Sequence, residues 1–118
     1  MLRISRGFST SIIHGSNGSP YLLDLHLEDF DGNDTDDLIV GWGNGEAASR
    51  IFYNFDGSFS LDASAVLPEP VYGAENIMHM HTFSEDFDGD SDQDLVILHT
   101  RYEPYYGGTY LQYLANNG

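Results

Sequence analysis

The chain of 118 residues is the length of one domain, and its 41% hydrophobic and 14% aromatic content is enough for a modest core. Its formal charge of −15 comes from 19 acidic residues against four arginines and no lysine, which argues against nucleic acid or an anionic membrane surface as partner. Cysteine is absent, so redox compartment cannot be read from disulfides, and no apolar run reaches the length of a membrane span.

The N-terminal MLRISRGFSTS lacks the apolar core of a signal peptide, so an exported form would be mature or excised. Within it, Arg6-Gly7-Phe8-Ser9-Thr10-Ser11 is similar to Asp56-Gly57-Ser58-Phe59-Ser60 further on. Asn17-Gly18-Ser19 is an N-glycosylation sequon. Residues 21–30 (YLLDLHLEDF) alternate apolar and polar side chains and predict a first strand. Residues 37–42 predict a second, Gly43-Asn44-Gly45 a turn, and residues 49–55 a third strand. Asp56-Gly57 is a hairpin signal leading to a fourth strand over 58–66. Pro68 and Pro70 then mark a linker, residues 67–76. The pattern restarts with strands over 77–87, 93–101 and 109–116, and no fourth strand follows.

Between the first and second strands of each half lies an acidic loop, DFDGNDTDDLIV (29–40) and DFDGDSDQDLVI (86–97), offset by 57 residues. Twelve of the 19 acidic residues fall at 28–37 and 85–94. Side-chain oxygens recur at loop positions 1, 3, 5 and 9: Asp29, Asp31, Asn33 and Asp37, then Asp86, Asp88, Asp90 and Asp94. A hard cation such as Ca²⁺ takes six to eight oxygens, and a tight loop aims alternate side chains at one point. The backbone carbonyls of Thr35 and Asp92, at position 7, are the natural further ligands, and Gly32 and Gly89 permit the sharp turn. The loop is not an EF-hand, which needs Gly at position 6 and Glu at position 12; here those are Asp34 or Ser91, and Val40 or Ile97. The plain alternative is an acidic hairpin turn that holds no metal.

The repeated Asp-Phe-Asp-Gly-[Asp/Asn]-x-x-x-Asp-Leu followed by aliphatics resembles the FG-GAP/VCBS repeat family, found in integrin α-chain propellers and many secreted bacterial proteins. IFYNFDGSF (51–59) resembles the element that commonly ends such repeats. The Phe-Gly and Gly-Ala-Pro elements of the family name are absent, and Asp34 and Ser91 replace a usual Gly. The resemblance implies an all-β chain of two four-stranded propeller blades, 21–66 and 77–118, with two Ca²⁺ sites between inner strands. Two blades cannot close a propeller. The last blade is then expected to be completed by another chain's N-terminal strand (residues 1–20), giving a homo-oligomeric ring or a filament. The implied function is a calcium-stabilised, non-catalytic module for adhesion or self-assembly. Weak calcium sites suit an extracellular or cell-surface location.

Other chemistry weighs less. No nucleophile motif or phosphate-cradling loop occurs. His26, His79, His81 and His99 lie on expected strands, where a transition-metal site needs about three to converge. Trp42 ends an aliphatic strand and reads as core. The loop 101–110 concentrates Tyr102, Tyr105 and Tyr106, which could stack on a glycan or pack a protein partner. The alternative function is therefore the propeller portion of a secreted carbohydrate-binding or polysaccharide-active protein.

Overall fold

Strand alternation over 21–30 makes a strand that stops earlier than the pattern does, at Glu28, and the strands expected over 77–87 and 109–116 also stop two residues early, at Glu85 and Leu114. The structure, a computed structural model, describes residues 8, 12–13, 21–43, 49–70, 77–101 and 107–118. Seven strands occur in chain order: β1 (Tyr21–Glu28), β2 (Asp37–Gly43), β3 (Arg50–Phe52), β4 (Ser64–Val66), β5 (Ile77–Glu85), β6 (Asp94–Arg101) and β7 (Thr109–Leu114). They form an antiparallel sheet β1-β2-β3-β4 and a second antiparallel sheet β5-β6-β7. The protein is all-β, as expected. Among the described residues the sheets close into no barrel or ring, and the second sheet has three strands. Residues 1–20, expected to supply a strand to another chain, lie outside the described residues except Phe8, Ile12 and Ile13.

Two expected strands are corrected. The third was expected over 49–55 and covers only Arg50–Phe52; the fourth was expected over 58–66 and covers only Ser64–Val66. The cause is capture of the backbone by side chains. Asn54 N–H donates to Asp37 Oδ1 at 2.9 Å instead of to a neighbouring strand, which ends β3. A short 3₁₀ turn, Leu61–Ala63, capped by Ser60 Oγ, occupies the start of the expected fourth strand. Between them Phe55 and Ser58 exchange two backbone hydrogen bonds of 2.9 Å around Asp56 and Gly57, both at positive φ (50° and 84°). That is the primed hairpin turn the Asp-Gly pair announces.

Each sheet has two distinct faces, because side chains alternate. Cross-strand register puts Leu25, Leu27, Leu38, Val40 and Phe52 on the front of the first sheet, and Asp24, His26, Ile39 and Ile51 on its back. In the second sheet Thr82, Ser84, Leu95 and Ile97 are on the front, and Phe83, Val96, Leu111 and Tyr113 on the back. The back of the first sheet packs on the front of the second, burying Ile39 and Ile51 against Leu95 and Ile97. A second cluster, Val40, Trp42 and Phe52, sits on the front of the first sheet with Ile13 and Phe59 packed against it. Trp42 is core, as its position in the sequence implied. Both β1 and β5 carry a register shift at matching places, between Leu22 and Asp24 and between His79 and His81.

Candidate metal centre

The strand ends deliver two acidic loops to the same end of the molecule, wired alike. In the first loop Asp29 Oδ1 accepts from Gly32 N–H (2.8 Å) and Asn33 N–H (3.2 Å), and Asp29 Oδ2 from Asp34 N–H (2.8 Å). In the second, Asp86 Oδ1 accepts from Gly89 and Asp90 (2.9 and 3.0 Å), and Oδ2 from Ser91 (2.9 Å). Asp31 and Asp88 each accept from the residue two further on at 3.2 Å, and Asn33 and Asp90 from Thr35 and Asp92 at 2.9 and 3.0 Å. Positions 4 and 6 both adopt the left-handed conformation: Gly32 and Gly89 at φ 78°, Asp34 at 69° and Ser91 at 77°.

Position 9 is the anchor. Asp37 and Asp94 are fully buried, and both oxygens of each are spent on backbone. Asp37 accepts from Phe30 (2.8 Å) and Asn54 (2.9 Å); Asp94 accepts from Phe87 (2.9 Å) and Asn116 (2.8 Å). Each thus ties the loop entrance to the chain leaving the third strand, and so ends β1, β3, β5 and β7. The sequence marked these residues as ligands but gave no sign of the bracket, whose partners lie 17 and 22 residues away. The loops are also joined to one another, since Asn116 Nδ2–H donates to the Phe30 carbonyl at 2.9 Å.

The result is convergence of charge. One carboxylate oxygen from each of Asp86, Asp88, Asp90 and Asp94 lies within 4.8 Å of all the others, and the same holds for Asp29, Asp31 and Asp37. These two clusters could hold metal ions. Asn33 offers an amide oxygen in the first loop where the second has the Asp90 carboxylate. Burial raises the Asp29 carboxyl pKa, but the N–H groups of Asp34, Gly32 and Asn33 outweigh it and hold it below its ordinary value. Asp94 is held low chiefly by the Asn116 N–H. Asp31 and Asp88 go the other way: burial raises both, and the charges of Asp37 and Asp29, or of Asp90 and Asp94, raise them further. The hydrogen-bond wiring thus fixes the loop shape, while position 3 carries the repulsion that a divalent cation would relieve.

Among the described residues, His26, His79, His81 and His99 form no cluster that could hold a metal. His79 is buried; its Nδ1 lies 2.7 Å from Ser49 Oγ and its Nε2 2.6 Å from Thr82 Oγ1. Thr82 donates to Asp24 Oδ2 at 2.7 Å, so its hydroxyl accepts from Nε2–H and Nδ1 accepts from Ser49. That leaves a neutral imidazole in the joint between the sheets. His26 Nε2 lies 2.7 Å from Ser84 Oγ, and His99 Nε2 lies 2.9 Å from Gln112 Oε1. His81 is exposed, with Nδ1 3.7 Å from Asp24. His79 and His99 also line a cavity of about 20 Å³, room for a single water. Tyr102, Tyr105, Tyr106 and Asn17 lie outside the described residues. No helix among the described residues is long and apolar enough to cross a membrane.

Compared with protein-family models, with curated proteins and with solved structures, the chain matches none.

Proposed function

We propose that this protein is a calcium-stabilised, non-catalytic repeat module of the FG-GAP/VCBS type, working in adhesion or self-assembly outside the cell. One observation carries the reading: two loops 57 residues apart share one hydrogen-bond wiring and aim their carboxylates at one point each. A turn that needed only to be polar has no reason to repeat both features. In this reading Asp29, Asp31, Asn33 and Asp37, and Asp86, Asp88, Asp90 and Asp94, supply side-chain oxygens, and Thr35 and Asp92 supply carbonyls. Oxygen-only donors favour Ca²⁺, which accepts irregular geometry more readily than Mg²⁺. Each sheet is then a propeller-type blade, and the ion holds its inner hairpin rigid against its own charge.

Calorimetric titration of the metal-free protein tests this. Two Ca²⁺ per chain are expected, at about 10⁻⁴–10⁻³ M as in extracellular modules, with Mg²⁺ much weaker. At a hundred times Kd each site adds roughly 2.7 kcal/mol, seen as a higher melting temperature. No heat of binding and an unchanged melting temperature in millimolar calcium would refute the reading. Sub-micromolar affinity would remove the argument for an extracellular setting.

A further inference from the structure

Within one chain the two sheets meet back to front, and among the described residues this leaves one front and one back without a partner sheet. The offset of 57 residues makes Leu25 and Leu27 of β1 the equivalents of Thr82 and Ser84 of β5, and His26 the equivalent of Phe83. At the internal joint the contacts nearest the β1–β5 seam are polar. Asp24 accepts from Thr82 at 2.7 Å, and His26 faces Ser84 at 2.7 Å. At the two open faces three of the four equivalent positions are apolar: Leu25, Leu27 and Phe83 stand where the joint has Thr82, Ser84 and His26, while Asp24 is matched by the exposed His81. Leu25 and Leu27 on the open front are 62% and 55% exposed; Phe83, Leu111 and Tyr113 on the open back are 51%, 70% and 50% exposed. Ile13 and Phe59 pack over Val40, Trp42 and Phe52 on the front, so the leucine strip of β1 is its open portion. Two exposed apolar surfaces of this kind on one small acidic chain mark an interaction site.

We infer that the back of the second sheet docks on the front of the first sheet in a second copy of this chain, repeating the packing step already made inside the molecule. Phe83 and its neighbours then meet Leu25 and Leu27, apolar on apolar, where the internal joint has hydroxyls, a carboxylate and an imidazole. The occupant is fixed by continuity with the internal interface, because the front of the first sheet is the repeat-equivalent of the surface that the first sheet's own back already covers. The joint is heterologous, so copies add head to tail and either close into a ring or grow as a filament. This rests on the self-assembly reading above but names a face where that reading named terminal strands. Neighbouring acidic loops come side by side at such a joint, as Asn116 and Phe30 already bring them within the chain, so bound calcium strengthens the assembly.

The test uses the full chain and two exposed-face variants, Leu25→Lys with Leu27→Lys for the front and Phe83→Lys with Leu111→Lys for the back. Mass is measured by light scattering in calcium, with circular dichroism to show that each variant is folded. The wild type should run above 13.1 kDa, each variant alone as a monomer, and the 1:1 mixture as a heterodimer of twice that mass and nothing larger. A wild type that stays monomeric at its highest soluble concentration overturns the inference, as do variants that still polymerise or a folded mixture that fails to pair. Deleting residues 1–11 should leave the assembly in place. Its loss on that deletion, with the face variants still assembling, overturns the inference in favour of strand donation. Calcium titration of the monomeric variants separates the two readings. Calcium binding without assembly sinks only this inference, and assembly without calcium binding sinks only the metal reading.

Discussion

Lowering the pH below neutral should cost this protein stability in a window set by His79. Burial between the sheets pushes its pKa from 6.5 down to about 4, against the pull of the Asp24 carboxylate and with repulsion from His99 and His81 adding to the fall. The unfolded chain therefore takes up this proton at a higher pH than the native one, so stability is full above about 6.5 and declines towards pH 4. The difference of 2.5 units between those values corresponds to about 3 kcal/mol, lost at up to about 1.4 kcal/mol per pH unit. Burial lowers His99 as well, which acts in the same direction. Asp31 and Asp88, whose pKa values are raised, act oppositely, because a proton relieves their crowding in the native loops. The comparison with His79→Gln isolates the histidine. Urea midpoints of metal-free protein between pH 7 and 4.5 should fall steeply for the wild type and less steeply for the variant. Equal slopes for the two proteins, or a flat profile for the wild type, would refute the reasoning.

Gly41→Ala should destabilise by about 1–3 kcal/mol, because a Cβ there would sit 2.4 Å from Cγ of the His79 ring, which Ser49 and Thr82 hold in place. A urea midpoint unchanged from wild type would show that the ring is free to move aside. Asp94→Ala should lower the melting temperature even without metal, since it strands the Phe87 and Asn116 N–H groups. Asp88→Asn should spare or raise metal-free stability, because Asp88 carries repulsion, and should weaken calcium binding in calorimetry. If the two variants behave alike in metal-free protein, the division between bracket and ligand is wrong. Asn116→Ala cuts the amide link from the second loop to the Phe30 carbonyl, so calcium at one loop should lose influence over the other. Two-site calorimetry reads this as a smaller coupling; coupling equal to wild type would locate the communication elsewhere.

The acidic loops were legible because their information is local: a carboxylate every second residue, glycine at position 4, and aliphatics directly after. Strand existence was legible for a similar reason, since alternation needs only neighbouring residues. Strand ends were not, because they are set across the sheet. Nothing near Asn54 or Asn116 announces that its N–H will be taken by an aspartate far upstream, yet that capture shortens β3 and ends β7. The histidines show how one displaced residue alters a reading. Strict alternation in Ile77–Phe83 puts His79 and His81 on one face, where they look like a paired site. The register shift between them turns His79 into the joint and leaves His81 in solvent. Leu22-Leu23 and His79-Met80 occupy matching places in the two repeats, and the doubled leucine is the one sequence mark of the shift, a break in alternation just before Asp24. In the first repeat the shift leaves apolar Leu22 and Leu25 on the front; in the second the matching residues are His79 and Thr82. The same backbone step thus leaves a polar, buried seam between β1 and β5 and an apolar, exposed strip on the front of β1, a difference that resides wholly in side chains.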